Sequence, residues 1–265
     1  MPDSAFDKVK IARSNNRPTG KDYIENIFTD FIEMHGDRRF ADDPAIVGGL
    51  ACLGKRPVTV IAIEKGHNAR ERMMRNFGAP NPEGYRKALR LMKQAEKFSR
   101  PVICFVDTSG ACCGIEAEER GQGQAIAENL MEMMALKTPI LSILIGEGGS
   151  GGALALSVAD KVWMLENAIY AVISPEGCAS ILWKDASRSA DAAESLKLTA
   201  QDALRLKVIE RSIPEKDLGR EPFYTTLKSA LDFQIRELSN VPAGELTESR
   251  YRRFRALGTA NLIGG

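Results

Sequence analysis

The sequence predicts an α/β fold, and three observations carry that expectation. Two apolar runs, "PVICFVDT" (101–108) and "PILSILI" (139–145), lack the alternation of a half-buried strand and read as strands covered on both faces. Each run leads into a glycine-bearing loop and then a helix, so one strand–loop–helix unit occurs twice. Helical patterns and short apolar runs also alternate along the chain without a Pro/Gly/Ser linker or a fixed-period repeat. We read 1–265 as one domain with a helical C-terminal part.

Each element has its own warrant. Thr19 opens a helix, with Asp22 as a capping-box partner three residues on; Tyr23, Ile24, Ile27, Phe28 and Phe31 recur at helical spacing, and Gly36 stops it. "AIVGGLACL" (45–53) and "PVTVIAIEK" (57–65) read as paired strands around the turn "GKR". Asn81 caps, and Pro82 begins, a helix reaching about Phe98, with Tyr85, Leu89, Met92 and Ala95 on one face. After 101–108 come the loop "SGACCGIEAEERG" and the helix "QAIAENLMEMMAL". After 139–145 come the loop "GEGGSGG" and the helix "ALALSVAD". "KVWMLE" and "AIYAVIS" are further strands. Thr199 and Asp202 cap another helix, and helices near 222–239 and 247–257 finish the chain.

Composition narrows the function classes. The 265 residues are 44% hydrophobic and 27% charged, with a formal net charge of +1, so no global field draws the chain to nucleic acid or membrane. The first residues are polar, without a signal-like apolar stretch, and no apolar run approaches the roughly 20 residues that span a bilayer. The expected compartment is the cytoplasm. The five cysteines (Cys52, Cys104, Cys112, Cys113 and Cys178) are odd in number and match no zinc spacing, which reads as reduced thiols and no metal in this chain.

The segment "GEGGSGGALAL" (146–156) carries five glycines in its first seven residues. Three readings compete. Gly146-x-Gly148-x-x-Gly151 fits the dinucleotide fingerprint, and Glu166 stands about 20 residues on, where a ribose-binding acid belongs. Alternatively, bare N–H groups at a helix N-terminus form an oxyanion hole, aided by the helix dipole. N–H groups from "SGA" and "GSGG" can then stand on the same side of the sheet. Or the glycines only permit tight turns and close packing.

Longer stretches resemble one family. "GEGGSGGALALSVADKVWMLENAIYAVISPEGCASILWK", "DTSGACCGIEAEERGQGQAIAENL", "RNFGAPNPEGYRKALRLMKQAEKF" and "HGDRRFADDPAIVGGLA" resemble the α subunit of the carboxyltransferase component of acetyl-CoA carboxylase, over about residues 8–256. The resemblance implies a crotonase-like ββα spiral. It also implies carboxyl transfer from carboxybiotin, carried on a biotin carboxyl carrier protein, to acetyl-CoA, giving malonyl-CoA for fatty acid biosynthesis. The implied partners are a zinc-containing β subunit, in an α2β2 heterotetramer, and biotin carboxylase in the larger complex. Another acyl-CoA such as propionyl-CoA is an alternative acceptor, and an NAD-binding oxidoreductase is the rival of a different class. The family's loop commonly reads Asp-Thr-Pro-Gly-Ala-Tyr-Pro-Gly. Here Ser109, Cys112 and Cys113 replace both prolines and the aromatic, which predicts a less rigid loop.

Matching that pattern makes Gly151 and Gly152 the expected N–H donors to the biotin-side oxyanion, with Gly148, Gly149, Gly110 and Ala111 as secondary candidates. Carboxyl transfer needs no protein nucleophile, so the lack of a Ser/His/Asp or Cys/His motif is no objection. Arg70, Arg72, Arg75, Arg86, Lys87 and Arg90 cluster in sequence. Arg86 and Arg90 are candidates for CoA phosphates or an acidic carrier, and a solvated helix face is the equal alternative. "RYRRFR" (250–255) packs on a partner or faces water. His35 and His67 read as structural or solvated, Glu116, Glu118 and Glu119 as a solvated loop, and Met73, Met74, Met131, Met133 and Met134 as core or interface filler.

Overall fold

The computed structural model describes residues 4–258. In chain order its elements are α1 (Ala5–Ala12), α2 (Gly20–Ile27), β1 (Thr29–Glu33), β2 (Ile46–Leu53), β3 (Arg56–Ile63), α3 (Ala69–Met74), α4 (Pro82–Lys97), β4 (Val102–Thr108), α5 (Ile115–Glu119), α6 (Gln122–Ala135), β5 (Ile140–Gly149) and α7 (Ser150–Leu154). They continue with β6 (Lys161–Leu165), β7 (Ile169–Ala171), α8 (Pro175–Trp183), α9 (Ser189–Leu196), α10 (Ala200–Arg205), β8 (Arg211–Ile213), α11 (Glu221–Ser239) and α12 (Ala243–Arg255).

The strands form one mixed sheet in the order β1-β2-β3-β4-β5-β6-β8, with β7 also pairing β5. The first three strands are antiparallel and the rest parallel. Every residue of β4 is buried, as a parallel strand covered on both faces requires. Strand β5 is long enough to serve two partners. Its first half pairs β6 (Leu141↔Lys161) and its second half pairs β7 (Glu147↔Ile169). Beneath the sheet, Tyr23 stacks on Phe105 with ring centroids 5.1 Å apart and meets Phe223 and Tyr224 edge-on, which binds α2 and α11 to β4.

The expected strand pairs and repeated strand–loop–helix units are present, with shifted boundaries. The helix opened by Thr19, α2, stops at Ile27, not at Gly36. Phe28 is already extended and Asp30 has φ 55°, so 29–33, including Phe31, leaves the helix and becomes the edge strand β1. Its apolar spacing suited a helix followed by a strand as well as one long helix. The Asp22 carboxylate does accept the Thr19 N–H, at 2.7 Å. Asn81 precedes α4, but its side chain makes no capping bond; its N–H donates instead to Asp43 Oδ2 at 2.7 Å. The strand expected at 168–174 shrinks to β7, because Ser174 caps α8 by accepting the Gly177 N–H at 3.1 Å. The glycine run is not a free loop. Strand β5 continues through Gly149, and α7 starts at Ser150, before the expected "ALALSVAD". No helix among the described residues is long and apolar enough to cross a membrane.

Candidate active site

The site grows from the register of two neighbouring parallel strands. Val102 pairs Ile140, and Thr108 pairs Gly148 after a shift, so the segments following β4 and β5 leave the same sheet edge side by side. Glycine then lets them touch. A Cβ on Gly149 would lie 2.1 Å from the Ser109 carbonyl oxygen, and one on Gly152 would lie 2.5 Å from the Ala111 nitrogen. Either side chain would force the two backbones apart. Gly148 is closed in by Leu144 and by the Ile169 carbonyl. These three glycines therefore serve close approach.

Gly151 differs. A Cβ there meets only Ile126 Cγ2, at 3.6 Å, an ordinary contact, and the residue is partly exposed. Ser150, Gly151 and Gly152 open α7, no side chain caps it, and the first N–H groups of a helix have no partner four residues back. The back of the turn is fixed. Tyr85 Oη donates to the Gly152 carbonyl at 3.3 Å, and Asn129 Nδ2 donates to the Ala155 carbonyl at 3.1 Å. Burial pushes the Tyr85 phenol well up, so it stays a neutral donor. A shallow pocket beside the turn is lined by Ser150, Gly151, Leu154, Tyr170, Val172 and Val208.

Among the secondary candidates, the Gly110 N–H is already engaged. It donates to Thr108 Oγ1 at 3.0 Å, and that hydroxyl donates back to the Gly110 carbonyl at 2.7 Å. Ala111 stays at the junction with Gly152. The loop that lost its prolines is braced another way: Gln122 Nε2 donates to the carbonyls of Pro80 and Cys112, both at 2.8 Å, and the Cys112 N–H reaches the Pro80 carbonyl at 3.0 Å. Cys113 is exposed and Cys112 half-buried.

Beneath both loops lies a buried ionic network. Lys65 Nζ stands 2.6 Å from Asp107 Oδ1 and 3.0 Å from Glu147 Oε2. Asp107 Oδ1 accepts the Glu147 N–H at 2.7 Å. Arg13 Nε reaches Glu147 at 2.8 Å, and its Nη1 reaches Glu176, at the start of α8, at 2.7 Å. Burial alone would raise the Glu147 carboxyl, but Lys65 and Arg13 hold it below its ordinary value. A cavity of about 210 Å³ adjoins this network, lined in part by Arg17, Arg72, Phe77 and Ser109. Sequence reasoning passed over Lys65, Asp107 and Glu147. The signal was an acid standing immediately before each loop, one of them inside the glycine run itself.

The remaining candidates are dispersed. Arg86 is committed to Asp37 at 2.7 Å and to the Arg120 carbonyl at 3.0 Å, so it holds the 35–42 loop and is not a free phosphate ligand. Arg90 Nε donates to the Gly36 carbonyl at 3.0 Å on the same loop. Lys87 is fully buried against the Ile46 carbonyl and Asp42, and Arg75 donates to the Pro44 carbonyl, so the basic run is not one solvated face. Arg250 of "RYRRFR" neither packs on a partner nor faces water: it is buried in its own fold against Asp160. His35 pairs with Asp42 and His67 with Asp22; Glu116, Glu118 and Glu119 are exposed. Met133 is core, whereas Met73, Met74 and Met131 are exposed.

The dinucleotide reading fails on the same geometry. The parallel strands β3 to β6 follow one another in sequence order, so no reversal opens a nucleotide crevice there. The Asp107 carboxylate occupies the space where a Cβ on Gly146 would stand, which sets a negative charge against the fingerprint's first glycine. Glu166 spends Oε1 on the Glu215 N–H at 2.8 Å.

Comparison with known proteins identifies the family and the fold. The model of the family described as acetyl co-enzyme A carboxylase carboxyltransferase-like matches residues 4–258. The acetyl-coenzyme A carboxylase carboxyl transferase subunit alpha of Ruminiclostridium cellulolyticum is 62% identical over 255 residues, covering 96% of this chain and 98% of that protein. A Natranaerobius thermophilus protein named for carboxyl transferase subunits beta/alpha is 57% identical, and the match covers 96% of this chain but 42% of that longer one. Among solved structures, a Pseudomonas malonate decarboxylase hetero-tetramer in complex with coenzyme A gives a TM-score of 0.72 at 15% identity, over 93% of this chain and 98% of its own. Transcarboxylase 12S gives 0.68 at 18% identity, over 85% and 44%. At those identities the likeness concerns the fold alone, and that fold is crotonase-like. The chain thus belongs to the family of acetyl-CoA carboxylase carboxyltransferase α subunits.

Proposed function

We propose that this chain forms the biotin-side half of a carboxyltransferase. In this reading it takes the carboxyl group from carboxybiotin on a carrier protein and passes it to acetyl-CoA, yielding malonyl-CoA in the cytoplasm for fatty acid biosynthesis. A zinc-bearing β subunit completes an α2β2 enzyme that works alongside biotin carboxylase. The observation that supports it best is the uncapped start of α7, where Gly151, alone among the glycines of 146–152, leaves room for a side chain at ordinary contact distance. As the carboxyl group departs, negative charge collects on the donor's oxygen. Backbone N–H groups fixed at a helix N-terminus stabilise that charge without reorganising. The Gly151 N–H is the principal donor in this reading, with Gly152 beside it and Ala111 across the junction.

Gly151→Val tests the assignment. A valine there covers the N–H without entering backbone, so the enzyme assembled with its β partner should keep its melting temperature while malonyl-CoA formation falls about 100- to 1,000-fold. Full activity in this variant removes the oxyanion role from α7.

A further inference from the structure

We propose that Lys65 is a positioning residue for the reaction, its ammonium fixing the distance between the two loops that present the reacting N–H groups. The inference rests on assigning those loops to the oxyanion. Asp107 is the penultimate residue of β4 and leads straight into 108–114; Glu147 lies in β5 and leads straight into 148–152. One cation bonds both carboxylates, at 2.6 and 3.0 Å, with its own side chain only 17% exposed. The cation cannot easily swing away. Gly78, at φ +73°, presses on its stem, where a Cβ would lie 2.5 Å from Lys65 Cγ. Burial alone would lower the Lys65 ammonium, but Asp107 and Glu147 hold it above its ordinary value, so it remains charged across the working range.

The other charges facing the pair do not replace it. Arg13 meets only the Glu147 side of the bridge and shares itself with Glu176 of α8. Arg17 lies in the field of Asp107 but is bonded to Glu215 at 2.7 Å, and the Tyr23 phenol, also in that field, is neutral. Arg72, on the cavity wall, donates to the Gly66 carbonyl at 3.1 Å. Without Lys65, two buried carboxylates that shared one cation repel each other. Either the loops separate or one carboxylate takes up a proton, and a like-charge pair takes it up at higher pH than an isolated acid. The sign follows. In a variant without the ammonium, acidification neutralises one carboxylate and lets the loops close again.

The test uses the complex assembled with the β partner and reads kcat for malonyl-CoA formation from pH 6 to pH 9. These limits span roughly the range into which burial raises a carboxyl, about 8–9 at the extreme, with the neighbouring carboxylate pushing the same way. In Lys65→Met, kcat should fall about 100-fold at the alkaline end with little change in KM for acetyl-CoA, the loss expected of a small misplacement. The ratio of variant to native kcat should climb as pH falls. Lys65→Met/Asp107→Asn removes the repulsion and keeps an acceptor for the Glu147 N–H. It should recover at least about tenfold over the single variant and lose the pH slope. Lys65→Arg should retain most of the activity. A Lys65→Met ratio that is flat with pH, or a double variant no better than the single one, overturns the proposal. If Lys65→Met does not assemble, a double variant that assembles but stays inactive does so too. Full activity in Gly151→Val strikes the oxyanion assignment instead, so the two failures are distinguishable.

Discussion

At the scale of single residues, the glycines of 146–152 divide by what a Cβ would strike. Gly146 faces the Asp107 carboxylate, Gly149 the Ser109 carbonyl and Gly152 the Ala111 nitrogen, whereas a Cβ on Gly151 would meet only Ile126 Cγ2, at an ordinary 3.6 Å. Gly151 and Gly152 are neighbours in the chain and opposites in structure. Gly152→Ala is accordingly expected to act on the fold as well as the reaction. Its methyl must push the 110–111 backbone away, at a cost typical of overpacking, about 1–3 kcal/mol. Urea unfolding of Gly152→Ala beside Gly151→Ala would show it: the first should unfold earlier and the second should not. A helical glycine replaced by alanine gains up to about 1 kcal/mol where space allows. Equal stability in the two variants would mean the loops yield freely and do not fix one another.

At the scale of elements, much of the fold was legible because burial leaves a one-dimensional trace. "PVICFVDT" had to be a two-sided strand, and Thr19 with Asp22 had to start a helix. The boundaries failed where two elements share one apolar rhythm, as in Tyr23–Phe31, which continues from α2 into β1. Helices α1, α3, α5, α8 and α9 were not anticipated; they are short, and short helices draw their stability from tertiary contact more than from pattern. The candidate site was legible as a glycine run but not as an ionic lattice, since Arg13, Lys65, Asp107, Glu147 and Glu176 meet only in three dimensions. The C-terminal helix makes the same point. Its basic run offered no sign that Arg250 is fully buried, donating to the carbonyls of Met133, Leu136 and Thr138 and to both oxygens of Asp160. Removing one partner of such a pair leaves a stranded charge, so Arg250→Met should destabilise the chain by about 3–5 kcal/mol. A loss below about 1 kcal/mol in chemical denaturation would place α12 outside the cooperative fold.

At the scale of the whole molecule, the sheet gathers its chemistry on one edge. Strands β3, β4 and β5 are parallel neighbours, so Lys65, the 108–114 loop and the start of α7 emerge together, with α1 and α8 closing over them through Arg13 and Glu176. In the proposed reading that edge offers one place for negative charge, at the N-terminus of α7. Carboxyl transfer generates two such charges, one on the donor as the carboxyl leaves and one on the acceptor carbon's enolate oxygen before it is captured. The second is the contribution expected of the β subunit. The Natranaerobius relative, whose name gives both subunits to one polypeptide, fits that division. Neither chain alone should then make malonyl-CoA from carboxybiotin and acetyl-CoA, and mixing the two should restore the reaction with a mass in solution matching two copies of each. The controls carry the weight. Malonyl-CoA formed by this chain alone would mean that both anion sites lie within 265 residues, and the search for the second would return to the surfaces around Gly151.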